Sequence, residues 1–413
     1  MTRPSISVIG GAYGEECAYP TRQVFKGSGG RAAAVLSSLG ADVTLTTAVG
    51  SSLAPIFASI AQKYGYTLNA THRTNDIWFR YRQPLGHPDV YPASIPNTSY
   101  SAPVAASAAL VFGMLEGRPV VHAKRAVYDP QDGFASKPFD ANGSTADELA
   151  LVMSFSEGKG LTGESSPETM ADKLIREPSV SVVIIKCGPQ GALVRTAEVA
   201  NWIRAFPSKR VYKIGSGDVF SAAFAFSWLI EGYDAVTSAW YASSAVAAYV
   251  ESAQDRFDGV QHSRFHQQAS DARQNLTSTT PRTIPDTQIY LAGPFFNTAQ
   301  QWLVDEARSA LTDMGFKVFS PGHEIGIGPA NEVAPADLLA LRQSGLVLAL
   351  LDGLDPGTVF EVGYARALDI PVVAVAEAVD EPSLTMIIGS GCDVANDLAT
   401  GIYAACWHLM GDV

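Results

Sequence analysis

A chain of 413 residues is longer than one ordinary domain and calls for two or three. With 47% apolar and 17% charged residues it can bury substantial cores, which excludes disorder on a large scale. A formal charge of −12 argues against a general nucleic-acid binder, because phosphate backbones reward clustered Lys and Arg. Small phosphorylated ligands stay open, since loops and helix termini bind them inside acidic proteins. The four cysteines, Cys17, Cys187, Cys392 and Cys406, are scattered without a Cys-x-x-Cys pair, so zinc and disulfides are poor readings and a cytoplasmic location is expected. The opening Met-Thr-Arg-Pro-Ser leads into a strand, which is not a signal peptide, and no uncharged apolar run is long enough to span a membrane.

In chain order, Ile6 to Ile9 reads as a strand, followed by Gly10-Gly11. The run Gly27-Ser-Gly-Gly then precedes a helix from Arg31 that Gly40 stops. Strands are expected at 41–49, 109–112, 120–123 and 182–185, and this alternation with helical or loop segments predicts an α/β domain with a mostly parallel sheet. Between them, 76–91 alternates polar with apolar and aromatic residues, as a small antiparallel flap would. Arg31 has two readings, a solvated helix residue or a planar fork for an anionic group.

At Lys213-Ile-Gly-Ser-Gly-Asp, the backbone N–H groups of Gly215, Ser216 and Gly217 can form an anion hole at a helix start. Asp218 is then placed to take a proton from an attacking hydroxyl; the plainer reading makes it a helix cap. This tetrapeptide closes a series of further motifs. They are the Gly27–Gly30 run with Leu39-Gly40-Ala41-Asp42-Val43, then Val127-Tyr-Asp-Pro, Leu161-Thr-Gly and Val183-Ile-Ile-Lys-Cys-Gly-Pro-Gln-Gly-Ala-Leu-Val. Over about 5–260 the chain thereby resembles the ribokinase-like (PfkB-type) sugar and nucleoside kinases. The resemblance implies an α/β/α sandwich with a small β flap, ATP and Mg²⁺ as cofactors, Asp218 as catalytic base, and the Gly motif with Cys187 and Gly188 bordering ATP. Three positions depart from the family. No early Asp follows the first strand, Arg31 replaces an Asn, and of the Asn-x-x-Glu that holds magnesium only Glu157 remains, in Ser154-Phe-Ser-Glu.

From about 266 to 285 the chain turns polar, Ser/Thr-rich and proline-punctuated, as the tail of a helix and a linker would. The expected division is 1–265, a linker 266–285, and 286–413. In the last part, strands at 288–292 and 316–319 flank a helix over 299–314. Gly293-Pro294 ends the first strand, and Phe295 and Phe296 follow either as a base-stacking platform or as plain core. His323 lies in the loop after the second strand, as a ligand contact or incidentally. A helix over 334–344 carries Asp337.

The apolar run Leu346 to Leu351 then suits a parallel strand covered on both faces. Asp355, Pro356 and Gly357 supply a turn, and Thr358 with Glu361 three residues on fits a capping box. The functional reading puts Glu361 in the first helical turn at the carboxyl end of that strand, where open α/β sheets place ligands. There a carboxylate can attack a sugar anomeric carbon. Ile289-Tyr-Leu-Ala-Gly-Pro-Phe-Phe, Gly315-Phe-Lys-Val-Phe-Ser-Pro, Asp337-Leu-Leu-Ala-Leu and Asp352-Gly-Leu-Asp-Pro-Gly-Thr-Val-Phe-Glu-Val-Gly-Tyr-Ala occur in that order. Together they resemble the nucleoside 2-deoxyribosyltransferase family over nearly all of 286–400.

That resemblance implies a doubly wound, flavodoxin-like parallel sheet with no cofactor. It makes Glu361 the nucleophile towards C1′, gives Asp355 a part in handling sugar or base, and lines the pocket with Asp337 and Tyr290. Gly293 and Phe295 fall beside the substrate, and Ser390 falls where relatives that cleave monophosphates meet the 5′-phosphate. Expected partners are nucleosides, nucleotides and sugars, neither nucleic acid nor membrane, with a homo-oligomer implied by residues borrowed across subunits. Two functions stay open: a bifunctional salvage or degradation enzyme, and an N-glycosidase whose N-terminal half senses ligand or oligomerises without catalysis.

Overall fold

Strands form where the apolar runs predict them, and they sort into three sheets in the computed structural model, which describes residues 3–131, 135–274 and 282–411. Two units result. One comprises Met1–Arg82, His87–Phe206 and Lys213–Pro281; the other takes in Gln83–Gly86, Pro207–Tyr212 and Arg282–Val413.

The first unit is built on a nine-stranded sheet. Its order runs from Ala200–Ile203 through Ala192–Arg195, Val180–Lys186, Thr145–Ser154, Val121–Asp129, Val104–Phe112, Ser5–Ile9 and Asp42–Gly50 to Thr67–Arg73. Every pairing is parallel except the two made by Ala192–Arg195. The expected flap is real, and it is larger than 76–91 alone. Trp78–Tyr81 and Asp89–Tyr91 pair antiparallel, and Gly14–Cys17 joins in parallel with Arg22–Phe25 beyond it.

The glycine run does not precede its helix but opens it, since the helix spans Gly27–Ser38. The reason is close packing: a Cβ on Gly29 would stand 2.6 Å from the carbonyl of Gly10, so the helix reaches the first strand only through glycine. The helix Gly259–Gln274 runs through the start of the segment read as a linker, of which 275–281 lies outside the described residues.

The second unit holds five parallel strands in the order Lys317–Phe319, Gln288–Ala292, Leu346–Leu350, Val372–Val375, Asp393–Ala395. Counted from the first of them in sequence this is 2-1-3-4-5, the flavodoxin-like winding. All five residues of Leu346–Leu350 are buried because both faces are covered. Ile289, Leu291, Leu346, Leu348 and Leu350 pack on one side with Val304, Leu311 and Ile402. Tyr290, Ala292, Val347 and Ala349 face the other, with Leu341, Val362 and Ala365. The period of two along each strand thus decides which side chains meet which helices. Among the described residues no helix is long and apolar enough to cross a membrane.

Candidate functional site

The second unit gathers four of the expected residues. Tyr290 lies on the sheet face that packs against the helices Ala330–Arg342 and Pro356–Ala367. In the first helix Asp337 sits three and four residues before the buried Ala340 and Leu341, and in the second Glu361 sits next to Val362 and four before Ala365. Helical spacing therefore turns both carboxyls toward the face that Tyr290 occupies. The Tyr290 hydroxyl donates to Glu361 Oε1 at 2.5 Å, and its ring stacks on Phe319 at 5.6 Å between centroids.

Burial pushes the Glu361 carboxyl up to about 7. The Tyr290 hydrogen bond opposes this, while the charges of Asp337 and Asp355 add to it. Burial also raises Asp337, whose Oδ1 is buried and finds no hydrogen-bond partner among the described residues. Tyr290 is held neutral, first by burial and then by Glu361 and Asp337. An acceptor that is buried and unpaired, beside a carboxyl that titrates near neutrality, is an arrangement that proton transfer can use.

The capping box at Thr358 is not what forms. Asp355 is the N-cap, Pro356 opens the helix, and Asp355 Oδ2 accepts from the Thr358 N–H at 2.9 Å and its hydroxyl at 3.1 Å. Pro has no N–H to leave orphaned at the first position, so the turn chemistry places the helix start three residues earlier, at Pro356 after Asp355 instead of after Thr358. Glu361 consequently lies in the second turn, not the first, and its carboxyl is left for the site.

The remaining expected positions are more locally occupied. Phe295 and Phe296 stack on each other at 5.1 Å, Phe295 lying over Gly322 and Phe296 standing 66% exposed. Gly293 packs so tightly that a Cβ would meet Leu350 at 3.2 Å. His323 engages Ser320 through Nδ1 at 3.1 Å and Asp305 through Nε2 at 3.0 Å. The Ser390 hydroxyl donates to the Ile387 carbonyl at 3.0 Å.

The first unit holds a second constellation. Gly215, with φ +81°, caps the helix Ser216–Ala225, and Asp218 lies in its first turn. Arg31 is not solvated: it is 3% exposed, and its guanidinium forks between Asp218 Oδ2 at 2.6 Å and Glu15 Oε2 at 2.5 Å. Glu15 also accepts from the Gly27 N–H at 2.8 Å, and Gln131 donates to the other oxygen of Asp218 at 2.5 Å. A Cβ on Gly215 would stand 2.2 Å from Arg31 Cζ, so the guanidinium lies directly on the glycine turn. Burial opposes the Arg31 charge, but Glu15, Tyr249 and Asp218 together outweigh it and raise its pKa.

Beside this triad Lys186 donates to Asp129 at 2.8 Å, and Lys213 donates to Ser216 Oγ at 3.0 Å. Burial and then Lys186 lower the pKa of Lys213, whereas Asp129 and Glu157 hold that of Lys186 up against its burial. Glu157 closes a capping box with Ser154, accepting from its N–H at 2.6 Å. Burial pushes the Cys187 thiol up to about 12, and Cys187 caps the short turn Gly188–Gln190.

Sequence reasoning assigned no role to Glu15, Gln131, Asp129, Lys186 or Lys213. The strand ends at Asp129 and Lys186 were the available signal, because ligands collect at the carboxyl edge of such sheets.

Comparison with known proteins bears on both units. The nucleoside 2-deoxyribosyltransferase family model matches residues 289–396, and the pfkB family carbohydrate kinase model matches 148–261. A probable sugar kinase from Rhizobium etli CFN 42 superposes with a TM-score of 0.50 at 13% identity, covering 65% of this chain and 99% of that one. A ribokinase II from E. coli gives 0.48 at 17%, covering 64% and 99%, and the tetrameric inhibited form of E. coli phosphofructokinase-2 gives 0.48 at 15%, covering 65% and 100%. At such identities the sugar-kinase likeness speaks for the fold alone. No curated protein matches the chain.

Proposed function

From a chain that carries a pfkB-family carbohydrate-kinase domain at 148–261 and a nucleoside 2-deoxyribosyltransferase domain at 289–396, we propose a bifunctional enzyme of nucleoside salvage or degradation whose C-terminal part cleaves an N-glycosidic bond. Both families are enzymatic, one transferring phosphate and the other deoxyribosyl groups. The domain division we adopt is 1–265, a linker 266–285, and 286–413. The observation that carries the proposal is the 2.5 Å bond from Tyr290 to Glu361, with the unpaired acid Asp337 near enough for its charge to raise the Glu361 carboxyl.

In this reading the ionised Glu361 attacks C1′, and the C1′–N bond breaks. The departing base takes a proton from the Asp337 carboxyl, which leaves a glycosyl ester on Glu361. A second base or water then attacks C1′ and returns its proton to Asp337, freeing Glu361. Tyr290 orients the nucleophile and favours its charged form. Asp355 fixes the helix that presents it, and Phe295 and Gly293 lie beside the sugar or base. Ser390 has its hydroxyl toward its own backbone, so a nucleoside rather than a monophosphate is the substrate we favour.

In the N-terminal part, Asp218 would take the proton of a nucleoside or sugar hydroxyl as it attacks ATP. The residues present suit a phosphate donor. Lys186 and Lys213 stand at the N-terminus of the helix Ser216–Ala225, where a Cβ on Gly217 would come within 3.4 Å of Lys186 Nζ. Glu157, one of whose oxygens accepts from the Ser154 N–H, would hold Mg²⁺ if bound, and the ion would supply charge neutralisation at the transferred phosphoryl group.

A specific observation favours the second reading for this half, a module that binds ligand or assembles subunits without turnover. Asp218 is clasped by Arg31 and Gln131 on both oxygens, so neither is free to receive a substrate hydroxyl without breaking a hydrogen bond. Incubating the protein with mixed nucleosides, with and without ATP, and separating products by chromatography tests both parts. Base release that Glu361→Ala abolishes supports the glycosidic activity; ATP consumption that Asp218→Asn abolishes supports the kinase. Absence of ATP turnover in the wild type leaves the N-terminal half as the non-catalytic module.

A further inference from the structure

Away from both sites, the helix Gly259–Gln274 carries two histidines four residues apart, so His262 and His266 share one face. That face looks onto the end of the helix begun at Ser216, whose last turn, Phe226–Ile230, widens into a π-turn capped by Glu231. Such one-turn widenings are frequent at functional sites, because the extra residue rotates the side chains that follow. Here the rotation brings Glu231 to the two imidazoles. The two Nε2 atoms are 3.0 Å apart, and Glu231 Oε1 lies 3.1 Å from that of His266 and 3.5 Å from that of His262.

Those three edges describe one face of a coordination tetrahedron. With metal–nitrogen and metal–oxygen distances of about 2.0–2.1 Å, neighbouring ligand atoms in a tetrahedral site stand about 3.3 Å apart. The observed triangle differs from that by a few tenths of an ångström on each side. The rings are also fixed in place: Tyr241 lies 4.9 Å from the His266 ring and 5.9 Å from that of His262, with Phe226 at 5.5 Å from His262 and Tyr233 at 5.6 Å from His266. Side chains locked by packing are what a metal site requires of its ligands.

We propose that Glu231, His262 and His266 bind a divalent cation of the zinc class, tying the helix Gly259–Gln274 to the helix that starts beside Asp218. Two imidazoles with one carboxylate suit zinc, cobalt or nickel and do not suit magnesium, which takes oxygen ligands in an octahedron. Three protein ligands leave a fourth position for water or an incoming group. The competing account is a proton-sharing chain with no ion, in which the Nε2–H of His266 is shared between His262 Nε2 and Glu231 Oε1.

The test uses the full chain without a histidine tag, stripped with chelator and dialysed. Zinc binding by calorimetry should give one equivalent per chain, with the melting temperature raised by about 5 °C or more at hundredfold excess over Kd. Cobalt should give visible bands of a four- or five-coordinate ion, and magnesium should do neither. His262→Ala, His266→Ala and Glu231→Gln should each weaken zinc binding at least tenfold while the far-ultraviolet circular dichroism stays that of the wild type. Should a variant misfold, the wild type still decides the matter, since paramagnetic cobalt must broaden the ring resonances of these two histidines. Undiminished binding in the double histidine variant, broadening confined to other histidines, or no zinc uptake would establish the proton-sharing chain in place of the metal site.

Discussion

Replacing Glu361 by Gln should abolish base release and at the same time stabilise the protein above neutral pH. The two effects share one cause. A carboxyl whose ionisation is moved from an ordinary 4.5 up to about 7 has its charged form disfavoured in the folded state by about 3 kcal/mol. Burial is the largest contribution, and the neighbouring charges of Asp337 and Asp355 add to it. Gln is close in size and still offers an oxygen to the Tyr290 hydroxyl, so the substitution removes the charge and little else.

The pH dependence follows from the direction of the shift. Below about 4.5 the wild-type carboxyl is protonated in both folded and unfolded chains, and the two proteins should be equally stable. Between about 4.5 and about 7 the unfolded chain gives up the proton while the folded one keeps it, so the wild type falls behind across that window, and the gap is complete near pH 8, where both are ionised. For a unit of this size about 3 kcal/mol corresponds to roughly 10 °C in melting temperature, an upper value because partial exposure screens the charge. Scanning calorimetry of both proteins at pH 5 and pH 8 gives the comparison. Equal melting temperatures at pH 8, or a gap that is as wide at pH 5, would refute the reasoning. Strain stored at a reacting group and relieved by its removal is a recurring cost of function.

Three further outcomes are expected. Tyr290→Phe removes the hydrogen bond that favours ionised Glu361, so kcat/KM for base release should fall about 10- to 100-fold near pH 6 and recover partly towards pH 9, read from a pH–rate profile. Arg31→Ala leaves Glu15 and Asp218 buried without their shared cation and should cost about 3–5 kcal/mol in urea unfolding of the N-terminal unit, with Arg31→Lys intermediate. Asp355→Ala takes away the N-cap of the helix that carries Glu361 and should lower stability by about 1 kcal/mol in the same assay, whereas Asp355→Asn should recover most of it.

Most of the fold was legible because periodicity and run length are properties of local sequence. The unbroken apolar run ending at Leu351 could only be a strand covered on both faces, and it is the middle strand of the second sheet. What local signals could not give were boundaries set by close approach. The glycine run at 27–30 reads as a loop until the neighbouring strand at Gly10 shows why no larger residue fits inside the helix. Thr358 reads as a cap until Pro356 and Asp355 are seen to start the helix first.

The residues around Glu361 were readable together because Tyr290 lies within an apolar strand and Asp337 and Glu361 sit at helical spacing from apolar residues that anchor them. The clasp on Asp218 was not, since Glu15, Arg31 and Gln131 reach it from separate stretches of chain. For Arg31 the sequence offered a solvated residue or an anion grip, and burial decides for the grip, with carboxylates of the protein itself as the anions.

The most direct measurement is mass spectrometry of peptides from protein mixed with deoxyribonucleosides and quenched in acid. The account predicts a deoxyribosyl mass on the peptide containing Glu361, absent in Glu361→Gln, together with released base in solution. Released base from a wild type that never carries that mass, accompanied by undiminished release from the Gln variant, would contradict it.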